Sequence, residues 1–317
     1  MTTSPTIVGL GEILWDLLPL GRQLGGAPAN FAYCSHLLGG RAMVASRVGI
    51  DLLGKEAGER LRQSGFGYEV LQTDPVHPTG TVVVKLEPNG QPSYQIISGV
   101  AWDFMDWSAE WESLAKSADA VCFGSLAQRS PKSRNTIYQF LAATHKEALR
   151  VFDVNLRQDL YSRPIIEDSL QRANVVKVNR DESLVLRRLL NLDNDSSDDT
   201  SFCRMLISEF DLRLACVTYG AEGSLICDRF HFDRHPGFEV AIKDTVGSGD
   251  AFTAGLVHGV LSGQSLAQIN DLANRMGAWV ASCSGAMPKL PEAGLQQTLK
   301  TLGQKQHYQA NTSLRTG

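Results

Sequence analysis

Asp250 follows Gly247-Ser248-Gly249 and precedes an apolar, small-residue run from Ala251 to Leu261. That run reads as a buried helix. Its first N–H groups have no internal partners, so the turn before it can hold an anion. The two glycines allow a ligand to approach the backbone closely. A carboxylate directly after such a turn would repel a resting phosphate. It makes chemical sense if it accepts a proton from a hydroxyl that attacks the phosphate. A capped helix with an acidic first turn is the plainer structural reading.

Near the other end of the chain, Asp16 follows a first strand, and Gly25-Gly26-Ala27-Pro28-Ala29-Asn30 opens an amphipathic helix that runs through Leu38. An ionised carboxylate accepts from two sugar hydroxyls at once, and an Asn side chain offers a donor and an acceptor to a polyol. In purely structural terms, the same residues read as an exposed loop acid and a helix start with Pro in its first turn. Three further polar clusters stand at strand ends: Asp153-Val154-Asn155-Leu156-Arg157, Asn179-Arg180-Asp181-Glu182 and Thr218-Tyr219-Gly220-Ala221-Glu222-Gly223.

The elements that must position these residues alternate. Thr6–Gly11 reads as a short buried strand that Glu12–Asp16 continues, with a charged residue at the end. Arg41–Val48 reads as a second strand and Leu52–Gln63 as a helix. Strands are expected at 120–123, 150–153 and 175–178, separated by helices at 131–146 and 165–172. Such alternation implies right-handed crossovers and a parallel sheet covered on both faces, with ligands at the strand carboxyl ends. Thr79–Leu86 and Pro92–Ile97 flank Glu87-Pro88-Asn89-Gly90, which is hairpin chemistry and interrupts the alternation. This hairpin is expected outside the main sheet. Helices follow at 265–282 and 291–302, and the polar tail from Gly303 is expected to be disordered.

Composition and motif spacing remove several function classes. The 317 residues carry a formal charge of −4 with no basic tract, which argues against a nucleic-acid protein. No apolar run approaches membrane-spanning length and the first five residues are too polar to begin a signal peptide, so a cytoplasmic location is expected. Six scattered cysteines without a Cys-x-x-Cys pair read as reduced core thiols. Gly9 and Gly11 suggest a dinucleotide fingerprint, but its third position is Leu14. Gly49 to Lys55 has nearly the spacing of a P-loop, but Glu56 stands where the magnesium-binding hydroxyl belongs. The acidic run from Asp193 to Asp199 lacks the glycine and final glutamate of a calcium loop and reads as a connection with a helix cap. His231 and His235 have no metal-site context around them.

In this order, the Gly25–Asn30 and Asp244–Asp250 segments, the Asn179/Glu182 pair and the Thr218/Gly220/Gly223 loop resemble the ribokinase-like (PfkB) carbohydrate kinases, across residues 6 to 291. The resemblance implies a three-layer α/β fold with a mostly parallel central sheet and a small β lid drawn from residues 12–20 and 79–101. It implies Asp250 as base, with Gly247, Ser248 and Gly249 as the anion hole. Asp16, Gly25, Gly26, Asn30, Asn155 and Arg157 would hold the sugar. ATP would lie against Asn179, Thr218, Gly220, Gly223 and Thr245. Glu182 would organise Mg2+ through water, and Asp244 with the Ser284-Gly285-Ala286 loop would take a monovalent cation such as K+. Within the family, Gly-Ala-Pro-Ala-Asn and Asp-Val-Asn-Leu-Arg are similar to fructokinases, although Val154 replaces the usual proline. Arg157 is also similar to the arginine of keto-deoxy sugar acid kinases, but Pro28 stands where those relatives carry Glu. A nucleoside kinase and a non-catalytic sugar- or nucleotide-binding regulator are rival readings on the same fold. Members of the family commonly pair their lids, so a homodimer through the hairpin is expected.

Overall fold

Five consecutive buried residues, Thr6–Leu10, form β1 near one side of the main sheet. The computed structural model describes residues 4–18, 21–86, 92–192 and 198–302. After Gly11 the chain leaves that sheet, and Leu14–Leu18 (β2) and Gly21–Gly25 (β3) pair antiparallel in a second one. The expected continuation of β1 through Asp16 is therefore corrected: β2 is a separate strand. Helix α1, Ala27–Leu37, then returns to β1, with Pro28 at its start, where a missing N–H costs nothing. Arg41–Ala45 (β4) and Arg47–Gly49 (β5) divide the single strand expected there, since β5 pairs not with β1 but with Gln72–Asp74 (β6). Between them lies α2, Leu52–Gln63, capped by the Asp51 carboxylate on the Gly54 N–H at 2.8 Å. The glycines of the failed P-loop thus serve a helix start.

The hairpin strands are Gly80–Leu86 (β7) and Pro92–Ile96 (β8), and both lie outside the main sheet, in the order β3-β2-β7-β8. The turn between them falls outside the described residues. Ala109–Ser117 (α3) leads to Ala120–Phe123 (β9), and Pro131–Ala143 (α4) to Leu149–Asp153 (β10). Arg163–Arg172 (α5), Val175–Asn179 (β11), Arg180–Leu189 (α6) and Asp199–Phe210 (α7) continue the alternation. Asp198 caps α7, while the rest of the acidic connection, residues 193–197, lies outside the described residues. Leu214–Thr218 (β12), Ser224–Cys227 (β13) and Phe232–His235 (β14) complete the strands. Ser248–Leu261 (α8), Leu266–Ala281 (α9) and Leu295–Thr301 (α10) end the described chain, and the tail from Gly303 falls beyond it.

The main sheet runs β14-β13-β12-β11-β10-β9-β1-β4. Its members from β4 to β12 are parallel, and β13 and β14 are antiparallel. Alternate residues enter two cores. Val8, Phe123, Phe152 and Val178 pack with Trp111, Phe140 and Phe202 on one face. Ile7, Val44, Val151 and Cys216 pack with Phe31, Phe252 and Trp279 on the other. This gives three layers. The strand order reverses at β1, which lies between β4 and β9, so the crevice at its carboxyl end is the favoured ligand position. All six cysteines are free, and Cys283 alone is not fully buried. No described helix is long and apolar enough to cross a membrane.

Candidate active site

Helix α8 begins at that crevice. Gly247, its N-cap, takes φ 79°, and a Cβ there would stand 2.5 Å from the Ala286 Cβ. Both facts require glycine. The Ser248 hydroxyl donates to the Thr245 carbonyl at 2.7 Å, so the turn is closed by its own residues. Asp250 lies in the first turn of α8, and its Oδ2 accepts from Asn30 Nδ2 at 2.8 Å. This bond joins α8 to α1. Asn30 is 3% exposed, and its amide oxygen is buried without a protein partner, an arrangement suited to a hydroxyl donor from a ligand. Asp250 is half-buried as a residue, and protein atoms surround its carboxylate. Burial pushes its pKa up to about 6, and the charge of Asp153 adds to the rise. The Asn30 bond and the positive charges of Lys177 and Arg157 oppose it. A carboxyl so placed is largely ionised at neutral pH and is a better proton acceptor than an ordinary aspartate.

The second sheet approaches this crevice through Gln23. Asp16 on β2 pairs with Gln23 on β3 and Val82 on β7, so the three side chains share one face. Burial raises the Asp16 pKa and Arg157 counters it. A Cβ on Gly25 would lie 2.8 Å from Asp16 Oδ2, so the glycine leaves that carboxylate its space. Gly26 lies against the Glu12 carbonyl, 2.4 Å from where its Cβ would be. Gln23 reaches the loop beside the anion turn: its Nε2 lies 2.6 Å from the position of a Cβ on Gly285. Asn155 (φ 43°) and Arg157 follow β10, and Arg157 is exposed, with its Nη1 donating to the Leu156 carbonyl.

On the other side, Asn179 and Glu182 form a capping box at the start of α6. Asn179 Oδ1 accepts from the Glu182 N–H at 2.9 Å, and Glu182 Oε2 accepts from the Asn179 N–H at 2.9 Å. Glu182 Oε1 accepts from the Leu156 N–H at 3.0 Å. Each carboxylate oxygen thus has one backbone partner and can accept a further bond. That fits a magnesium ion held through water better than direct ligation. No group of three or more metal-binding side chains occurs among the described residues, so nucleotide phosphates would have to supply most ligands. Asp244 joins two loops, its Oδ1 accepting from the Val246 N–H at 3.0 Å and its Oδ2 from the Gly285 N–H at 3.1 Å. Thr218 ends β12, and Gly220 and Gly223 follow it, where Gly223 packs on the His235 carbonyl. No hydrogen bond joins that group to Asp250 among the described residues. His231 and His235 face different acids, Asp228 and Asp271.

Two residues here carry no role that the sequence alone suggests. Glu12 reads there as part of the continuation of the first strand. It is 3% exposed, its Oε2 has no protein partner, and burial pushes its pKa up to about 7, with Arg157 lowering it and Asp250 raising it. Lys177 is 6% exposed and pairs with Asp153. A lysine amid the valines of β11 was the available signal.

Known proteins are similar to this chain. Residues 20–293 match the family described as pfkB family carbohydrate kinase. Escherichia coli fructokinase is 33% identical over 89% of this chain and 95% of its own length. Vibrio cholerae fructokinase, solved with fructose, ADP and a calcium ion, superposes with a TM-score of 0.77 at 27% identity, covering 93% of this chain and 99% of that one. An uncharacterized sugar kinase from Pyrococcus horikoshii, solved in complex with ATP, also gives 0.77 at 26% identity, over 93% and 98%.

Proposed function

Because this chain belongs to the pfkB family of carbohydrate kinases and is a sugar kinase, we propose that it transfers the γ-phosphoryl group of ATP to a primary hydroxyl of fructose. The observation that supports the reading is the Asn30–Asp250 bond, which joins the start of α1 to the first turn of α8. In this reading Asp16 and Asn30 orient the sugar, and Asp250 takes the proton of the attacking hydroxyl. The backbone N–H groups around Gly247, Ser248 and Gly249 hold the transferring phosphoryl group. Asn179, Thr218, Gly220, Gly223 and Thr245 form the nucleotide side. Magnesium, held through Glu182 and the phosphates, would neutralise the charge developing on the phosphoryl oxygens. Asp244 and Gly285 would border a potassium site.

An ADP-release screen with fructose, ribose, 2-keto-3-deoxygluconate, tagatose phosphate and adenosine tests the acceptor. Fructose should give the highest kcat/KM. Preference for another acceptor overturns fructose, and absence of ADP release with every acceptor overturns the kinase reading. Arg157 favours a second reading. It forms no ion pair among the described residues, so it could meet the carboxylate of a sugar acid, and the keto-deoxygluconate arm reports that.

Two more expectations arise here. Glu182→Gln should weaken apparent magnesium affinity and lower kcat, with partial recovery at high magnesium. An unchanged magnesium titration would leave Glu182 as a helix cap alone. The chain should also be a homodimer through the β lid. Ile96 packs against one core of the chain on the Asp16 face, and Val83 pairs with Leu17, which packs against the other core, on the opposite face. Val83→Asp should shift the protein toward monomer in light scattering and raise the sugar KM. A monomeric wild type at micromolar concentration would end the dimer proposal.

A further inference from the structure

A charged side chain in a buried strand must have its partners close by, and those of Lys177 lead to the anion turn. Its ammonium stands 3.1 and 3.2 Å from the two carboxylate oxygens of Asp153, the last residue of β10. Asp153 is 4% exposed, and its Oδ2 lies 2.9 Å from the hydroxyl of Thr253 on α8. The same hydroxyl lies 3.0 Å from the Gly249 carbonyl and can donate its one proton to either acceptor. Two strands are thereby tied to the first turn of α8. The ammonium also touches that turn directly, because a Cβ on Gly249 would stand 3.1 Å from Lys177 Nζ. Gly249, unlike Gly247, does not have positive φ. What a side chain at 249 would crowd is the ammonium.

The charges around Asp250 come from several elements. Glu12 stands between β1 and β2, Asp153 on β10, Arg157 in the loop after it, and Lys177 on β11. The thiols of Cys34 on α1 and Cys122 on β9 also face it. Arg157 is exposed, so Lys177 is the buried cation of this set. Burial alone would lower the Lys177 pKa. The charges of Asp153, Glu182 and Asp250 more than reverse that, so the ammonium keeps its proton.

We propose that Lys177 is a positioning residue for phosphoryl transfer, whose ammonium fixes the Gly249 turn to Asp153 and holds Asp250 in its proton-accepting form. The proposal rests on the reading of Asp250 as the base. Its test is the pH profile of kcat in Lys177→Met, Asp153→Asn and the double variant. Removing the cation should move the acid limb up by roughly one pH unit, and removing Asp153 should move it down. The double variant, which loses both charges, should return close to wild type. At neutral pH, kcat of Lys177→Met should fall roughly two-fold, fall more steeply below that, and recover as pH rises, with the KM for sugar and ATP within about three-fold of wild type.

Should Lys177→Met fail to fold, Asp153→Asn carries the test, because Lys177 keeps Glu182 and Asp250 as counter-charges there. Coincident acid limbs in the folded variants, with kcat reduced equally at every pH, would overturn the proposal and leave Lys177 a structural ion pair. That failure is distinguishable from failure of the base reading, in which Asp250→Asn itself would retain turnover.

Discussion

Asp250→Asn should lower kcat by roughly 10²–10⁴-fold and change the sugar KM by less than about three-fold. The amide keeps the shape of the side chain and can still meet Asn30 and a sugar hydroxyl, but it cannot take the proton. The pH dependence of the wild type supplies an independent check. Burial has raised this carboxyl to about 6, so the proton-accepting form dominates above that value and is lost as pH falls through it. The acid limb of kcat should therefore bend near pH 6, well above the range of an ordinary aspartate. In Asp250→Asn that bend should vanish from whatever rate remains. Turnover of the variant within a few-fold of wild type would remove Asp250 from the chemistry.

Gly247→Ala should cost roughly 10²–10³-fold in kcat, about 3–4 kcal/mol of transition-state stabilisation. The added methyl meets Ala286 at 2.5 Å, and the backbone stands at φ 79°, which alanine adopts only under strain. Both effects push the turn away from its present backbone conformation. The donors are displaced rather than deleted, so the loss should appear in kcat more than in the KM for ATP. Steady-state kinetics together with a melting curve separate the cases. A lowered Tm with unchanged kcat would assign Gly247 to folding alone.

Much of the site was legible because its residues sit at helix starts and strand ends, where the local chain already announces an exposed N–H or a sharp turn. Asp250 and Asn30 belong to that class, as do Asn179 and Glu182. The parallel alternation from β9 to β12 was legible for a similar reason, since buried strands read as short apolar runs. The break between β1 and β2 was not, because Ile13, Leu14 and Trp15 are as apolar as β1 and stay buried in the other sheet. Helix α3 was not read, and α7 showed itself only as a helix cap at the end of the acidic run from Asp193 to Asp199. Glu12 and Lys177 were hidden for a different reason. Their burial depends on partners such as Arg157 and Asp153, and no local window contains those.

The Asn30–Asp250 bond spans 220 positions of the chain, and the Tyr33 hydroxyl reaches the Pro288 carbonyl across 255. Helix α1 is therefore made early in synthesis and covered late. At ribosomal speeds of about 5–20 residues per second, roughly 10–40 s pass between the emergence of Asn30 and that of its partner helix. Through that interval Phe31, Ala32 and Tyr33 lack the α8 surface that buries them, and β1 waits on β9 as well. The nascent chain carries this apolar helix without its α8 cover for most of its time on the ribosome, and the Asn30–Asp250 pair is among the last contacts of the protein to form.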